Sequence, residues 1–188
     1  MNRIKLLTTL AGVVLLSVSG CDDDPAKGKT KVAASAVQPV NTEPNKGAVK
    51  YRFDAKDSKF EFVGAKVTAK HEGSFGAFEG TIDLVGRDPT KSKVVVEIVM
   101  DSLKTDSEKL TEHLKDKDFF DVAKHPKSKF TSTGVKKGGS AGASHTVTGN
   151  LELHGVTKSM TFPATIRIAD GTIKIKAEFA INRKDFGV

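Results

Sequence analysis

The sequence predicts an all-β protein, an antiparallel β-barrel of about eight strands with one short helical insertion. Three observations carry that expectation. From His145 to Asn182, apolar residues recur at every second position in three successive runs: Val147, Leu151 and Leu153, then Met160, Phe162, Ala164, Ile166 and Ile168, then Ile173, Ile175, Ala177, Phe179 and Ile181. A period of two places such residues on one face of a strand and the intervening charges on the other. His154-Gly155 and Asp170-Gly171 separate the runs, and Asp-Gly is a strong hairpin signal because a type I′ turn needs positive φ at both central residues. Glycines also interrupt the apolar parity upstream, as at the corners of a barrel.

Composition narrows the class. The chain has 188 residues, 11 Phe, one Tyr and no Trp, so its aromatics are nearly all hydrocarbon and suit an apolar interior. Without Arg3 and Lys5, which belong to a removable leader, there remain 28 basic against 23 acidic residues, a net +5. That charge is spread along the strands, whereas a nucleic-acid binder concentrates it on one face or helix. Cys21 is the only cysteine, so no internal disulfide or cysteine-based metal site can form.

In chain order, residues 1–20 read as a signal peptide: Arg3 and Lys5, an apolar run from Leu6 to Val18, then Ser19-Gly20. That run, about 13 residues, is short of the roughly 20 needed to span a bilayer. Val18-Ser19-Gly20-Cys21 resembles the bacterial lipobox, so Cys21 is the expected lipidation site, with two or three acyl chains giving a stable anchor. The expected location is the bacterial cell envelope, facing the periplasm. Asp22 matches a sorting rule for retention in the inner membrane, with the outer membrane as the alternative. Residues 21–50 have no apolar period and are expected to form a flexible linker holding the domain tens of ångströms from the membrane.

The barrel domain is expected over 51–188. Phe60 and Phe62 share one face, and after Gly64 the apolar parity passes to Ala65, Val67 and Ala69, which predicts a bulge or sharp bend at Gly64. Gly73, Gly76 and Gly80 predict strong bending before Ile82 and Leu84, and lack the following helix that a dinucleotide fingerprint requires. Val94–Met100 is apolar on both parities apart from Glu97, which predicts a strand covered on both sides, by the helix that follows. Thr105-Asp106-Ser107-Glu108 has capping-box spacing, with Leu110 and Leu114 on one helical face. His125-Pro126 ends that segment, and a strand over Lys129–Val135 leads through a glycine-rich turn to the final meander.

Three blocks resemble the YceI family of bacterial periplasmic and secreted proteins. They are His113-Leu114-Lys115 with Asp118-Phe119-Phe120-Asp121, His125-Pro126 and Phe130-Thr131-Ser132; Gly149–Leu153 with Gly155-Val156-Thr157-Lys158; and Asn182-Arg183-Lys184-Asp185-Phe186-Gly187. The resemblance implies a lipocalin-like barrel enclosing a long apolar tunnel, with polyisoprenoids, quinones or fatty-acid derivatives as ligands. Leu110 and Thr111 stand where many members carry an Arg-Asp pair. Members also continue past the Phe-Gly block with one more strand, so the sequence is expected to be a fragment, or else the edge beside Ile173–Ile181 to be bare.

The polar chemistry points away from catalysis. Ser74 and Ser140 lack the strand–turn–helix setting of a nucleophile elbow. His71, His113, His125, His145 and His154 form no His-x-His or i,i+4 pair, and Asp116-Lys117-Asp118 lacks the glycine and closing glutamate of a calcium loop, so neither metal nor cofactor is implied. Arg167, Lys158, Lys174 and Lys176 form a solvated face, or one drawn to anionic headgroups.

The candidate ligand-binding set is Phe60, Phe62, Phe78, Ile82, Leu84, Val96, Ile98, Val147, Leu151, Phe162, Ile166, Ile175 and Phe179, with His145 at a rim in reach of a headgroup. From residues alone, a filled core and a hollow one fit equally well. Small residues Gly64, Ala65, Gly80, Gly149, Ala164 and Ala177 favour space, and the resemblance favours a lipid-binding tunnel. The rival reading is a structural or interaction module with a filled barrel. A homodimer is left open.

Overall fold

The computed structural model describes Thr8–Leu15 and residues 27–43, 45–66 and 69–188; for Thr8–Leu15 and 65–69 it describes the backbone alone. Its strands are β1 (Thr8–Leu15), β2 (Thr30–Val32), β3 (Ala48–Asp54), β4 (Ser58–Lys66), β5 (Ala69–Phe75), β6 (Phe78–Val85), β7 (Asp88–Val99), β8 (Leu103–Thr105), β9 (Lys127–Lys137), β10 (His145–Leu153), β11 (Val156–Ala169) and β12 (Thr172–Asn182), with one helix, α1 (Glu108–Lys115). The cleavage point and Cys21 lie outside the described residues, as does Val67.

The alternation over the last three strands does what period two requires. Leu153 pairs with Val156 and Ala169 with Thr172, leaving two-residue turns. His154 (φ 52°), Gly155 (73°), Asp170 (49°) and Gly171 (71°) are all left-handed, as a type I′ turn demands. The ladder runs β3-β6-β7-β9-β10-β11-β12-β1-β4-β5-β8. In three cases, β3 with β4, β5 with β6 and β7 with β8, consecutive strands are halves of one bent run, so this part of the sheet folds over the interior. The bends are tied together: Gly76 N–H donates to Ser102 O at 3.1 Å and Val99 N–H to Ala77 O at 3.0 Å. Phe60 of β4 and Phe78 of β6 meet edge to face across this corner, 4.7 Å between centroids.

Several expectations are corrected. No register shift occurs at Gly64, because β4 and β5 pair without interruption from Phe60–Phe75 to Lys66–Ala69. The shifts lie instead at Asp83/Val85 and Thr148/Gly149. β7 is not covered on both sides: Val99 is 40% exposed, and α1 packs beside β8. The helix is capped by Ser107, whose hydroxyl accepts from Leu110 N–H, and not by Thr105. Thr105 is engaged with Thr111 and Ser107 instead. With residues 8–15 in place the edge of β12 is not bare, since β1 lies between β12 and β4 and runs parallel to both.

The expected flexible linker is the largest correction. Residues 29–41 form a strap across the outside of the wall. Lys29 Nζ pairs with Glu178 Oε2 at 2.5 Å, and β2 pairs with Phe179–Ile181 of β12. Ser35 and Ser159 exchange backbone bonds of 2.9 and 3.0 Å. Gln38 N–H donates to Asn150 Oδ1 at 3.0 Å, while Asn150 Nδ2 donates to Gln38 O at 2.7 Å. Lys93 Nζ reaches Asn41 O at 3.0 Å. Lack of an apolar period misled because this segment is ordered by backbone pairing, with Val32 its single buried apolar side chain.

Candidate functional site

The inward faces enclose an apolar cavity of about 180 Å³. An apolar cavity of roughly 150 Å³ is enough to take benzene and stay dry otherwise, so this space is of ligand scale. Of the residues expected to meet a ligand, Phe60, Phe62, Ile82, Leu84, Val96, Ile98, Val147, Leu151, Phe162, Ile166, Ile175 and Phe179 line it. Phe78 and His145 do not; Phe78 is buried against Phe60, outside the cavity wall. The wall also includes Phe53, Phe75, Val94, Met100, Phe120, Phe130, Val135, Leu153, Met160, Ile168, Ile173 and Ile181, which the sequence reading left off the site. Met160, Ile168, Ile173 and Ile181 share strand parity with residues that were on it, so periodicity could have found them. Phe120 comes from a loop and had no such signal.

The space left by small residues is partly claimed by aromatic rings. Phe62 lies over its cross-strand partner Gly73, Phe53 over its partner Gly80, and Phe130 over Gly149. A Cβ at those glycines would fall 2.3, 2.1 and 2.3 Å from the respective rings. Gly80 and Gly149 therefore make room for protein, while Ala164 does border the cavity and Ala177 is buried away from it.

The lining offers almost no free polarity. Ser128 Oγ donates to Glu152 O at 2.7 Å and Ser92 Oγ to Pro89 O at 2.6 Å. Glu61 is the one charged residue on the lining, and its side chain is exposed. A polar ligand group placed in this interior would lose its water without a partner, whereas hydrocarbon gains roughly 0.8 kcal/mol per buried CH₂.

One end is closed by the blocks that carry the family resemblance. Leu114 and Phe120 pack with Met100, Leu103, Leu153, Phe186 and Val188, and Leu103 and Phe186 are almost wholly buried. The Arg183 guanidinium lies 4.6 Å from the Phe119 ring centroid, and burial lowers its pKa. The His113 ring meets Phe119 at 5.9 Å, and His125 meets His154 at 4.7 Å. Those histidines serve packing. Among the described residues, no three His, Cys, Asp or Glu side chains gather to hold a metal.

The other end lies under the turns at 86–87, 138–144 and 170–171, where Pro89, Ile168 and Ile173 border the cavity. His145 is buried there, its Nδ1 2.8 Å from Ser144 Oγ, which accepts from Ile166 N–H at 2.8 Å. Burial holds the His145 pKa below its ordinary value, Lys137 adds to that, and Asp88 opposes it. Asp88 is itself held below the usual carboxylate range by the Thr90 hydroxyl and N–H.

A barrel-like all-β wall around an apolar cavity is the architecture of a binding domain. The YceI-like domain family matches residues 51–188, and the chain belongs to that family. The UPF0312 protein ECA1782 of Pectobacterium atrosepticum is 34% identical over 173 residues, covering 85% of this chain and 86% of its own. The Campylobacter jejuni YCEI protein matches with a TM-score of 0.53 at 29% identity, over 61% of this chain and 70% of its own. Burkholderia cenocepacia BcnA shares the fold, with a TM-score of 0.57 at 23% identity over 62% and 72% of the two chains.

Proposed function

We propose that the protein binds the long apolar tail of an amphiphile, of the polyisoprenoid, quinone or fatty-acid class, and sequesters or carries it in the bacterial envelope. The carrying observation is the cavity wall, apolar from end to end with its serine hydroxyls already engaged. Ile173 and Ile181, near opposite ends of that wall, are eight strand positions apart, a run of about 26 Å. A wall of that length supports a chain rather than a compact solute as the occupant. In this reading residues 1–20 are a leader, whose removal takes β1 out from between β12 and β4, and Cys21 carries the acyl anchor, on the periplasmic side of a membrane.

Native mass spectrometry and organic extraction of protein isolated from its own envelope test the proposal. A co-purifying lipid, or uptake of prenyl and acyl probes by the stripped protein, is the expected result. Consistent absence of both would overturn it. The competing reading, a module with a filled core, draws on the rings packed over Gly73, Gly80 and Gly149. It predicts that no probe enters.

A further inference from the structure

The end beneath the turns at 86–87, 138–144 and 170–171 has an unusual charge arrangement. Arg167 of β11 and Lys174 of β12 are direct cross-strand partners, both on the outer face and both exposed. Like charges opposed in this way weaken a strand pair. Neither forms an ion pair with another described residue. Arg87 in the turn before β7 and Lys136 at the end of β9 are also exposed at this end. Its acids are Asp88, near Lys137, and Asp170 in the last turn; Glu178 is taken up by Lys29 and Lys176. At the closed end the helical segment is acidic, while Lys124, Lys127, Lys158, Arg183 and Lys184 stand around it. Residues 108–121 carry five acids, Glu108, Glu112, Asp116, Asp118 and Asp121, against three lysines.

The strap reaches the barrel at the basic end. Gly28, Lys29 and Thr30 lie beside Ser140, Ala141, Pro163, Thr165 and Lys176. Cys21 stands eight positions before Lys29, a reach of at most roughly 29 Å. A membrane-bound Cys21 would therefore keep this end close to the bilayer.

We propose that this end, centred on the Arg167–Lys174 pair, is a docking surface for an anionic lipid membrane. Lipid phosphates relieve the repulsion that the protein leaves uncompensated, and the end of the cavity bordered by Pro89, Ile168 and Ile173 then faces the layer from which a tail would enter. The tail-entry part and the orientation through Cys21 rest on the function proposed above; the charge complementarity at the Arg167–Lys174 pair does not. Each basic residue at an anionic surface strengthens partition about fivefold.

The test uses the full chain with Cys21→Ser, so that no acyl chain contributes. Co-sedimentation is measured with vesicles of phosphatidylcholine alone and of phosphatidylcholine mixed with phosphatidylglycerol. Arg167→Gln/Lys174→Gln is compared with Lys109→Gln/Lys117→Gln, the same charge change at the closed end. The expected result is binding only to the anionic vesicles, about thirty-fold weaker for the first pair and nearly unchanged for the second. Equal losses from both pairs, no loss from the first, or no preference for phosphatidylglycerol would overturn the docking. Uptake of a prenyl probe in vesicle-free solution, measured on the same variants, separates the two proposals. Absent uptake with a preserved vesicle effect removes the tail-binding function and leaves the docking surface standing.

Discussion

Phe162 and Phe179 stack face to face inside the cavity, 4.3 Å between centroids and 17° from parallel, although their backbones are not paired. The ladder between β11 and β12 stops at Ala164–Ala177, beside Pro163, and Thr30 takes the place next to Phe179. Their rings bridge a split in the wall that the strap fills from outside. Phe162→Trp is therefore expected to fold with little change in midpoint temperature while weakening uptake of a prenyl probe. A filled core would instead lose about 1–3 kcal/mol to overpacking. Thermal melting and probe titration on the same variant decide between them.

Asn150 holds Gln38 through both its amide donor and its carbonyl. Asn150→Ala should remove both bonds, cost about 1–2 kcal/mol, and expose residues 27–43 to cleavage. Limited proteolysis followed by mass mapping reads this directly. A cleavage pattern unchanged from the native protein would mean that the strap is held by other contacts.

A third prediction concerns the glycines under aromatic rings. Gly80→Ala should destabilise by about 1–3 kcal/mol, because its Cβ would collide with the Phe53 ring. Gly134→Ala meets nothing within 4 Å and has no positive φ, so it should be neutral or stabilising by about 0.4–1 kcal/mol. Denaturant midpoints of the two variants give the comparison.

Much of the architecture was legible because the alternation of Val147 to Ile181 leaves a strand few options, and the Asp170-Gly171 turn confirms the register. Three features were not legible. Gly64 broke the apolar parity without breaking the register, since the pairing there depends on backbone and not on which side chain is apolar. Val95 and Val99 looked like evidence of a second covered face, yet isolated apolar residues on a solvated face carry no such information. The strap was hidden because Lys29–Asn41 docks through backbone groups, the Asn150 side chain and the Lys29–Glu178 ion pair, which leave no periodic trace. At the site, parity selected most of the wall, whereas the floor residue Phe120 and the ring-over-glycine pairs depend on contacts between distant segments.

His145 gives the pH dependence. Its folded pKa is depressed, chiefly by burial, so the unfolded chain binds the proton more readily. Stability from this group is complete above the ordinary histidine value of about 6.5 and falls as pH drops below it. The midpoint temperature should decline between about pH 7.5 and pH 5, and His145→Gln should flatten that part of the curve. An unchanged slope in the variant would assign the dependence elsewhere.

The strap also dictates an order of assembly. Ser35 binds Ser159 and Gln38 binds Asn150 across 124 and 112 positions, and Lys29 reaches Glu178 across 149. Contacts that close such long loops are slow to form, and these ones need β10, β11 and β12 already side by side. The first residues of the domain region to be synthesised are thus among the last to find their places. Until they do, the place beside Phe179 that Thr30 fills stays empty, and on the proposed function this gives the nascent wall an interval in which a tail can be enclosed.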